Sequence, residues 1–428
     1  FGSSHFGSSS LQHRLAVVPI PIDPIRHPFR DMAGSMQFGI SDFFNPAPAA
    51  AGGALLGFCV MYKATLTGDI LGVSAATRGV LAKGPTPRRV LFLLGLLLAG
   101  VVGALAGDFG LEPALPTDGE AQLWVRMGLG GFLVGFGTSL GNGCTSGHGL
   151  TGLARLGFRS WFGVPNFMFF AVATATLTGT ASVLPPHPSV ENDSPSWELA
   201  AALAAAALLL LVLSGGVFVA LRRQGVDAGR LKDASELFSG SLFGLGLLVS
   251  GMGRPSKVAG FLDLGSGAWD PSLMFVMGGA LALTFPFYQF LQPLGAGSFR
   301  LSQPLLGGDW SEFPSTRAWP NRDIALGTSC FGLGWGLTGT CPGPMWVLVG
   351  ARPSLPLLLF VVGVYCGVGT WMQYKKRFQT PCPVAAAPKD VEVGAQDQVA
   401  QFKDPAPVGD DSTTITSLGE QTADVSHE

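Results

Sequence analysis

Apolar residues fall into nine long runs, near 50–67, 90–107, 123–140, 162–184, 197–221, 237–251, 271–291, 322–338 and 355–374, separated by short segments rich in Gly, Pro and charge. A straight helix needs about 20 apolar residues to cross the hydrocarbon core of a bilayer. The first, third, sixth and eighth runs fall short, and after a Gly-rich break each is followed by a second, half-length apolar piece. This pattern predicts four spanning helices that are each followed by a half-helix re-entering the membrane. Broken backbone at that depth leaves N–H and C=O groups that lipid cannot satisfy, so it persists only inside protein or beside a polar cavity. The breaks therefore point at a pathway, while most of the 61 glycines serve close helix packing.

Composition strengthens the membrane reading. Of the 428 residues, 47% are hydrophobic and 13% charged, against roughly 25% charged in a soluble domain. The fold class expected is an all-α polytopic membrane protein with about nine transmembrane helices plus four re-entrant half-helices. The formal net charge of -2 comes with no basic stripe, which excludes nucleic acid as a partner. Residues 1–47 and 378–428 read as disordered tails, the second one acidic. Between them the organisation expected is a first membrane repeat over 48–184, a connecting span with loops over 185–235 and a second repeat over 236–377. The N-terminus lacks the features of a signal peptide, and Met36 would be a plausible native start.

Charge gives an orientation. With nine spans, one side collects Lys83, Arg88, Arg89, Arg155, Arg159, Arg222, Arg223, Arg230, Lys232 and Lys375 to Arg377. The other collects Asp108, Glu112, Asp118, Glu120, Glu191 and Asp193, with only a few basic residues such as Arg254, Lys257 and Arg352. By the positive-inside rule the basic side is cytoplasmic, which puts the N-terminus outside and the C-terminus inside a plasma or cytoplasmic membrane.

Two segments resemble one another when read back from a cysteine: Gly135-Phe-Gly-Thr-Ser-Leu-Gly-Asn-Gly-Cys144 and Gly332-Leu-Gly-Trp-Gly-Leu-Thr-Gly-Thr-Cys341. Each ends an apolar helix and precedes a half-helix. The earlier broken segments, Gly57 to Ala82 and Gly244 to Leu264, correspond as well. Corresponding helices lie five spans apart, an odd number, so the halves would insert with opposite orientation as inverted repeats with a site near the midplane.

The chemistry on offer is soft. Asn142, Cys144, Thr145, Ser146 and His148 surround one break, and Thr340 and Cys341 the other. A half-helix N-terminus presents N–H donors and partial positive charge to an anion. A thiol is a weak, polarizable donor suited to a soft sulfur acceptor, and neither cysteine break holds a Lys or Arg that would trap a dianion. Cys144 and Cys341 are thus candidate stations, with a small buried hydrophobe as the alternative for each. For Cys59, Cys330 and Cys366 that alternative is the expectation, and Cys382 belongs to the tail. His148 has two readings: contact with a substrate or proton, or satisfaction of loop carbonyls. Asp69, Arg254 and Lys257, near the other breaks, have two readings, vestibule charges or solvated helix ends, the second being the expectation, and Asp263 and Asp270 read as caps.

Gly-Asn-Gly-Cys144-Thr-Ser-Gly-His148-Gly, with Gly152-Leu-Ala-Arg155-Leu, resembles the signature of the YeeE/YedE family of sulfur-transport membrane proteins. So do Phe331-Gly-Leu-Gly-Trp-Gly-Leu-Thr-Gly-Thr-Cys341-Pro-Gly-Pro344 and the block from Ser250 to Asp263. The resemblance spans roughly residues 50–376. It implies uptake of thiosulfate or a related small sulfur anion, relayed by thiol hydrogen bonds through a narrow waist, with no cofactor, no metal and no catalytic residue. The family's further cysteine, in an Arg-Gly-Arg-x-Cys context, has Leu71 as its nearest counterpart. Two other readings stand beside transport: a persulfide carrier for a cytoplasmic sulfurtransferase, and a general small-anion channel.

Overall fold

The structure is a computed structural model that describes residues 39–41, 44–107, 110–111, 121–184, 197–291, 303–308, 310 and 317–378. The expected tails, apart from their edges at 39–47 and Phe378, lie outside these residues. So do Cys382 and the acidic set Asp108, Glu112, Asp118, Glu120, Glu191 and Asp193.

In chain order the elements are a two-residue strand β1 (Gly39–Ile40), α1 (Pro46–Thr67), α2 (Val73–Ala82), α3 (Pro87–Leu105), α4 (Ala121–Leu140) and a π-helical piece π1 (Thr145–Leu153). They continue with α5 (Phe158–Thr178), α6 (Thr180–Val183), α7 (Trp197–Arg223), α8 (Ala228–Val249), α9 (Pro255–Leu262), β2 (Ala268–Trp269) and α10 (Ser272–Pro286). A second π-helical turn π2 (Phe287–Leu291), α11 (Arg322–Thr338), α12 (Pro342–Ala351) and α13 (Leu355–Phe378) complete the set. Strands β1 and β2 pair in parallel, tying the end of the expected N-terminal tail to the loop before α10.

Seven helical stretches among the described residues are long and apolar enough to cross a membrane. Their outer faces carry exposed Val102, Val125, Phe169, Leu209 and Val362, a surface that water would not tolerate over such an area. The chain is an all-α, multi-pass integral membrane protein. Helix α8 begins nine residues before the apolar run that marks it, because its first turns carry Arg230, Lys232, Asp233 and Glu236. Glu236 is buried in an ion pair with Lys63 of α1 at 2.6 Å, so those charges do not end the helix. The apolar run 162–184 becomes two helices, since Gly179 turns left-handed between α5 and α6.

Long helices α1, α4, α8 and α11 each stop at a break and resume as the short helices α2, π1, α9 and α12. Each break contains one residue of positive φ: Gly68 at 77°, Asn142 at 59°, Gly251 at 74° and Gly339 at 61°. Only glycine, and more rarely asparagine, takes this conformation readily. A Cβ at Gly339 would also run into the Pro255 carbonyl of the α9 break. The residue before each short helix, Gly72, Cys144, Arg254 or Cys341, is extended and occupies the N-cap position.

Packing follows a regular scheme. Helix α3 lies on α8 as α10 lies on α1, α13 lies on α4 as α5 lies on α11, and α3 supports α12 as α10 supports π1. The pattern maps onto itself when α1, α2, α3, α4, π1 and α5 are exchanged in order for α8, α9, α10, α11, α12 and α13. Glycines permit this closeness: a Cβ at Gly100 would overlap the Val347 carbonyl of α12, and one at Gly350 the Leu97 carbonyl of α3. Helix α7 stands outside the scheme and packs against α1 and α8.

Candidate functional site

The starts of π1 and α12 meet at a cavity of about 420 Å³, a size suited to a small ligand. Cys144 and Cys341 both line it, and both are almost fully buried. Each cysteine is the N-cap of its short helix, with nearly the same backbone: φ -124°, ψ -163° for Cys144 and φ -119°, ψ 170° for Cys341. Equivalent positions in the two sequence segments thus become equivalent positions around one space. Thr145 joins them, its Oγ1 lying 3.8 Å from the Cys341 sulfur, and the Cys144 sulfur lies 3.2 Å from Ser146 Oγ.

Two helix N-termini converge on the cavity, each carrying partial positive charge. Their donors differ. Thr145, Ser146 and Gly147 open π1 with three N–H groups, whereas α12 opens Pro342-Gly343-Pro344 and so offers only that of Gly343. Proline at the first helical position costs nothing there, because its N–H would lack an intrahelical partner anyway. Among the described residues, no Lys, Arg, Asp or Glu lines the cavity. The walls are Phe167, Phe243 and Trp335 with Met168, Met252, Met274 and Met277. Thioethers and aromatic faces are polarizable and adaptable surfaces.

Of the residues singled out from the sequence, the cavity gathers Cys144, Thr145, Ser146 and Cys341. The other three stand behind it. Asn142 is exposed, and its Oδ1 accepts from Arg78 Nη2 at 3.0 Å. Thr340 is buried, and its hydroxyl donates to the Thr338 carbonyl at 3.1 Å. His148 is buried with Nε2 donating to the Gly141 carbonyl at 3.0 Å and Nδ1 facing Ser160 Oγ at 3.0 Å. Both ring nitrogens thus have partners, one in the break and one in α5. Leu71 is fully buried in the α1–α2 break, one residue ahead of the N-cap.

Charges near the other breaks differ from expectation. Arg254 and Lys257 are not solvated helix ends: Arg254 is 6% exposed with Nε donating to the Leu111 carbonyl at 3.3 Å, and Lys257 Nζ pairs with Asp270 Oδ2 at 3.5 Å. The partner of Arg254 is distant in sequence, so nothing local announces its burial. Asp69 is half-buried, 3.9 Å from Arg88. Asp270 caps α10 by accepting the Ser272 N–H at 2.9 Å, and Asp263 accepts from Gly265 N and Ala181 N. Cys59 is buried in the core, Cys330 is half-buried and Cys366 is exposed on the outer surface.

Three features of the site have no sequence motif. Trp335 stacks on Phe331 and lines the cavity, and its buried Nε1–H has no acceptor among the described residues. Buried donors are nearly always paired, so an orphan beside a cavity marks a place for an acceptor. The methionine cluster comes from three separate segments, α5, the α8–α9 break and α10. Helix α2 clips both cysteine breaks: Arg78 Nη1 donates to the Ser139 carbonyl at 3.0 Å, and Thr77 Oγ1 accepts from Trp346 Nε1 of α12 at 2.9 Å.

Comparison with known proteins gives two family matches, one described as sulphur transport over residues 35–177 and one of unknown function over 234–380. The chain is similar to a probable transporter from Xylella fastidiosa, 42% identical over 132 residues, or 31% of this chain and 84% of that protein. A second probable transporter from the same species is 35% identical over 128 residues, covering 30% of this chain and 91% of its own length. It is also similar to the thiosulfate transporter TsuA of Escherichia coli, 36% identical over 88 residues, 20% of this chain and 23% of that protein.

Proposed function

Because the chain belongs to the YeeE/YedE family of sulfur-transport membrane proteins, we propose that it moves a small sulfur-containing anion, thiosulfate foremost, across the bilayer past Cys144 and Cys341. The observation that carries this reading is the placement of the two thiols as matching N-caps on one apolar cavity, bridged by Thr145. An unpaired ion in an apolar medium faces tens of kcal/mol, and a helix dipole returns only about 0.3–2. Passage therefore needs several donors acting together: the two thiols, the hydroxyls of Thr145 and Ser146, the first-turn N–H groups and Trp335 Nε1–H. All are neutral, so none holds the cargo long. Soft thioether walls favour an anion whose outer atom is sulfur.

In this reading the nine long helices span the membrane and the four short ones re-enter it. Residues 48–184 and 236–377 form two inverted repeats joined through 185–235, although the helix assigned to the second repeat already starts at Ala228. The self-mapping packing scheme supports this, as does the coverage of two short probable transporters by about a third of this chain each. The basic end, where Arg88 meets Asp233 and Gly307 lies beside Arg222, faces the cytoplasm with the C-terminus, and the N-terminus lies outside. Asn142, Thr340 and His148 shape the breaks instead of touching cargo. Leu71 in place of a third thiol makes the relay a two-station one.

Uptake of labelled thiosulfate in cells lacking other sulfur-anion importers tests the proposal. Cys144→Ser and Cys341→Ser should each abolish uptake while a persulfide-trapping reagent labels neither. Persulfide trapped on either cysteine with flux intact would favour transfer to a sulfurtransferase. Normal flux in both variants would reduce the cysteines to packing and leave a general anion channel.

A further inference from the structure

A second cavity, of about 930 Å³, opens between α1 and α7, far in sequence from both cysteine breaks. Its walls are apolar, with Phe58 and Met61 from α1, Gly215 and Gly216 from α7, and Phe287 from π2. Arg223 and Gln224 stand at one end, both exposed. Tyr62 Oη and Ser214 Oγ, 3.0 Å apart, tie α1 to α7. The glycine pair beside that tie leaves a hollow: a Cβ at Gly216 would meet nothing within 4 Å.

Helix α7 is the least covered of the spanning stretches, with 11% of its most apolar window buried. A cleft that is hydrocarbon-like along its length and cationic at one end matches one kind of molecule in a bilayer. We propose that the α1–α7 cleft is a binding site for an anionic phospholipid, whose acyl chain fills the hollow at Gly215 and Gly216 and whose headgroup phosphate meets Arg223. Arg222 adjoins it in sequence, and Lys232 lies beside Gly308, next to Gly307 and Arg222, so the headgroup end is a cluster of positive charge. Among the described residues neither Arg222 nor Arg223 lies within ion-pair distance of a carboxylate. Basic pockets at helix ends select anionic headgroups by this electrostatic attraction. The site rests on none of the transport chemistry, because among the described residues none lines both cavities.

Native mass spectrometry of the purified full chain tests it, with phosphatidylglycerol and phosphatidylcholine of identical acyl chains as probes. Phosphatidylglycerol should be retained as one tight adduct and phosphatidylcholine should not. Each arginine contributes about fivefold, so Arg222→Gln with Arg223→Gln should weaken retention about 30-fold. Gly216→Trp, which fills the hollow, should remove the adduct with both arginines intact. Equal retention of the two lipids, an unchanged adduct in the double arginine variant, or a second copy of the chain on this face each overturns the proposal. If the tryptophan variant does not fold, the arginine variant, altered only at exposed positions, decides.

Discussion

His148 offers the sharpest separation between scaffold and pathway. In His148→Ala the Gly141 carbonyl and the Ser160 hydroxyl both lose their 3.0 Å partner, inside a region where His148 itself is 7% exposed. Each orphaned buried group costs about 1–3 kcal/mol, so the pair should cost about 2–6 kcal/mol. With about 2 °C of Tm lost per kcal/mol, the midpoint should fall by about 4–12 °C. Ser160→Ala removes one bond of the two and should cost about half as much. The assay is thermal unfolding of the purified protein in detergent, run beside uptake measured from pH 5.5 to 7.5. As a brace, His148 should change stability and maximal uptake in both variants in the same order, with the pH profile of uptake unaltered. A variant with unchanged Tm whose uptake loses its pH dependence would refute the reasoning and return the imidazole to the pathway.

Trp335→Phe keeps the stack on Phe331 but deletes the unpaired Nε1–H; a lost hydrogen bond to a charged acceptor, about 1.5–3 kcal/mol, should raise the half-saturating anion concentration at least about tenfold, and unchanged uptake kinetics would count against this donor. Lys63→Met strands the buried Glu236 carboxylate and should cost about 3–5 kcal/mol, most of it recovered when Glu236→Leu is added; thermal unfolding of the single and double variants checks this. Gly100→Ala drives a Cβ into the Val347 carbonyl and should cost about 1–3 kcal/mol, whereas Gly128→Ala, at a position facing open space, should gain about 0.5–1 kcal/mol.

The four breaks were legible because Gly and Pro clusters interrupt apolar runs, and membrane depth gives an interruption only a few physical explanations. The likeness of the Cys144 and Cys341 segments was legible because two glycines and a leucine stand at the same distances before each cysteine. What could not be read was whatever depends on a distant partner. Glu236 looks like a helix-ending charge until Lys63 is placed beside it, and Arg254 looks solvated until the Leu111 carbonyl is. The π-helical turn of π1 gives no signal beyond its glycines. Asn142 and His148 carry the right functional groups for a substrate site, yet the neighbours that occupy them, Arg78 and Ser160, come from α2 and α5.

The exchange of support between halves has a consequence for how the molecule is made. Helix α3 emerges early in synthesis, but the helices it holds, α8 and α12, emerge later, and α4 waits for α11 and α13. The wall around Cys144 is thus closed by residues from the last quarter of the chain, Trp335 and Cys341 among them. Until α11 and α12 have emerged, the cavity beside Cys144 lacks that part of its wall.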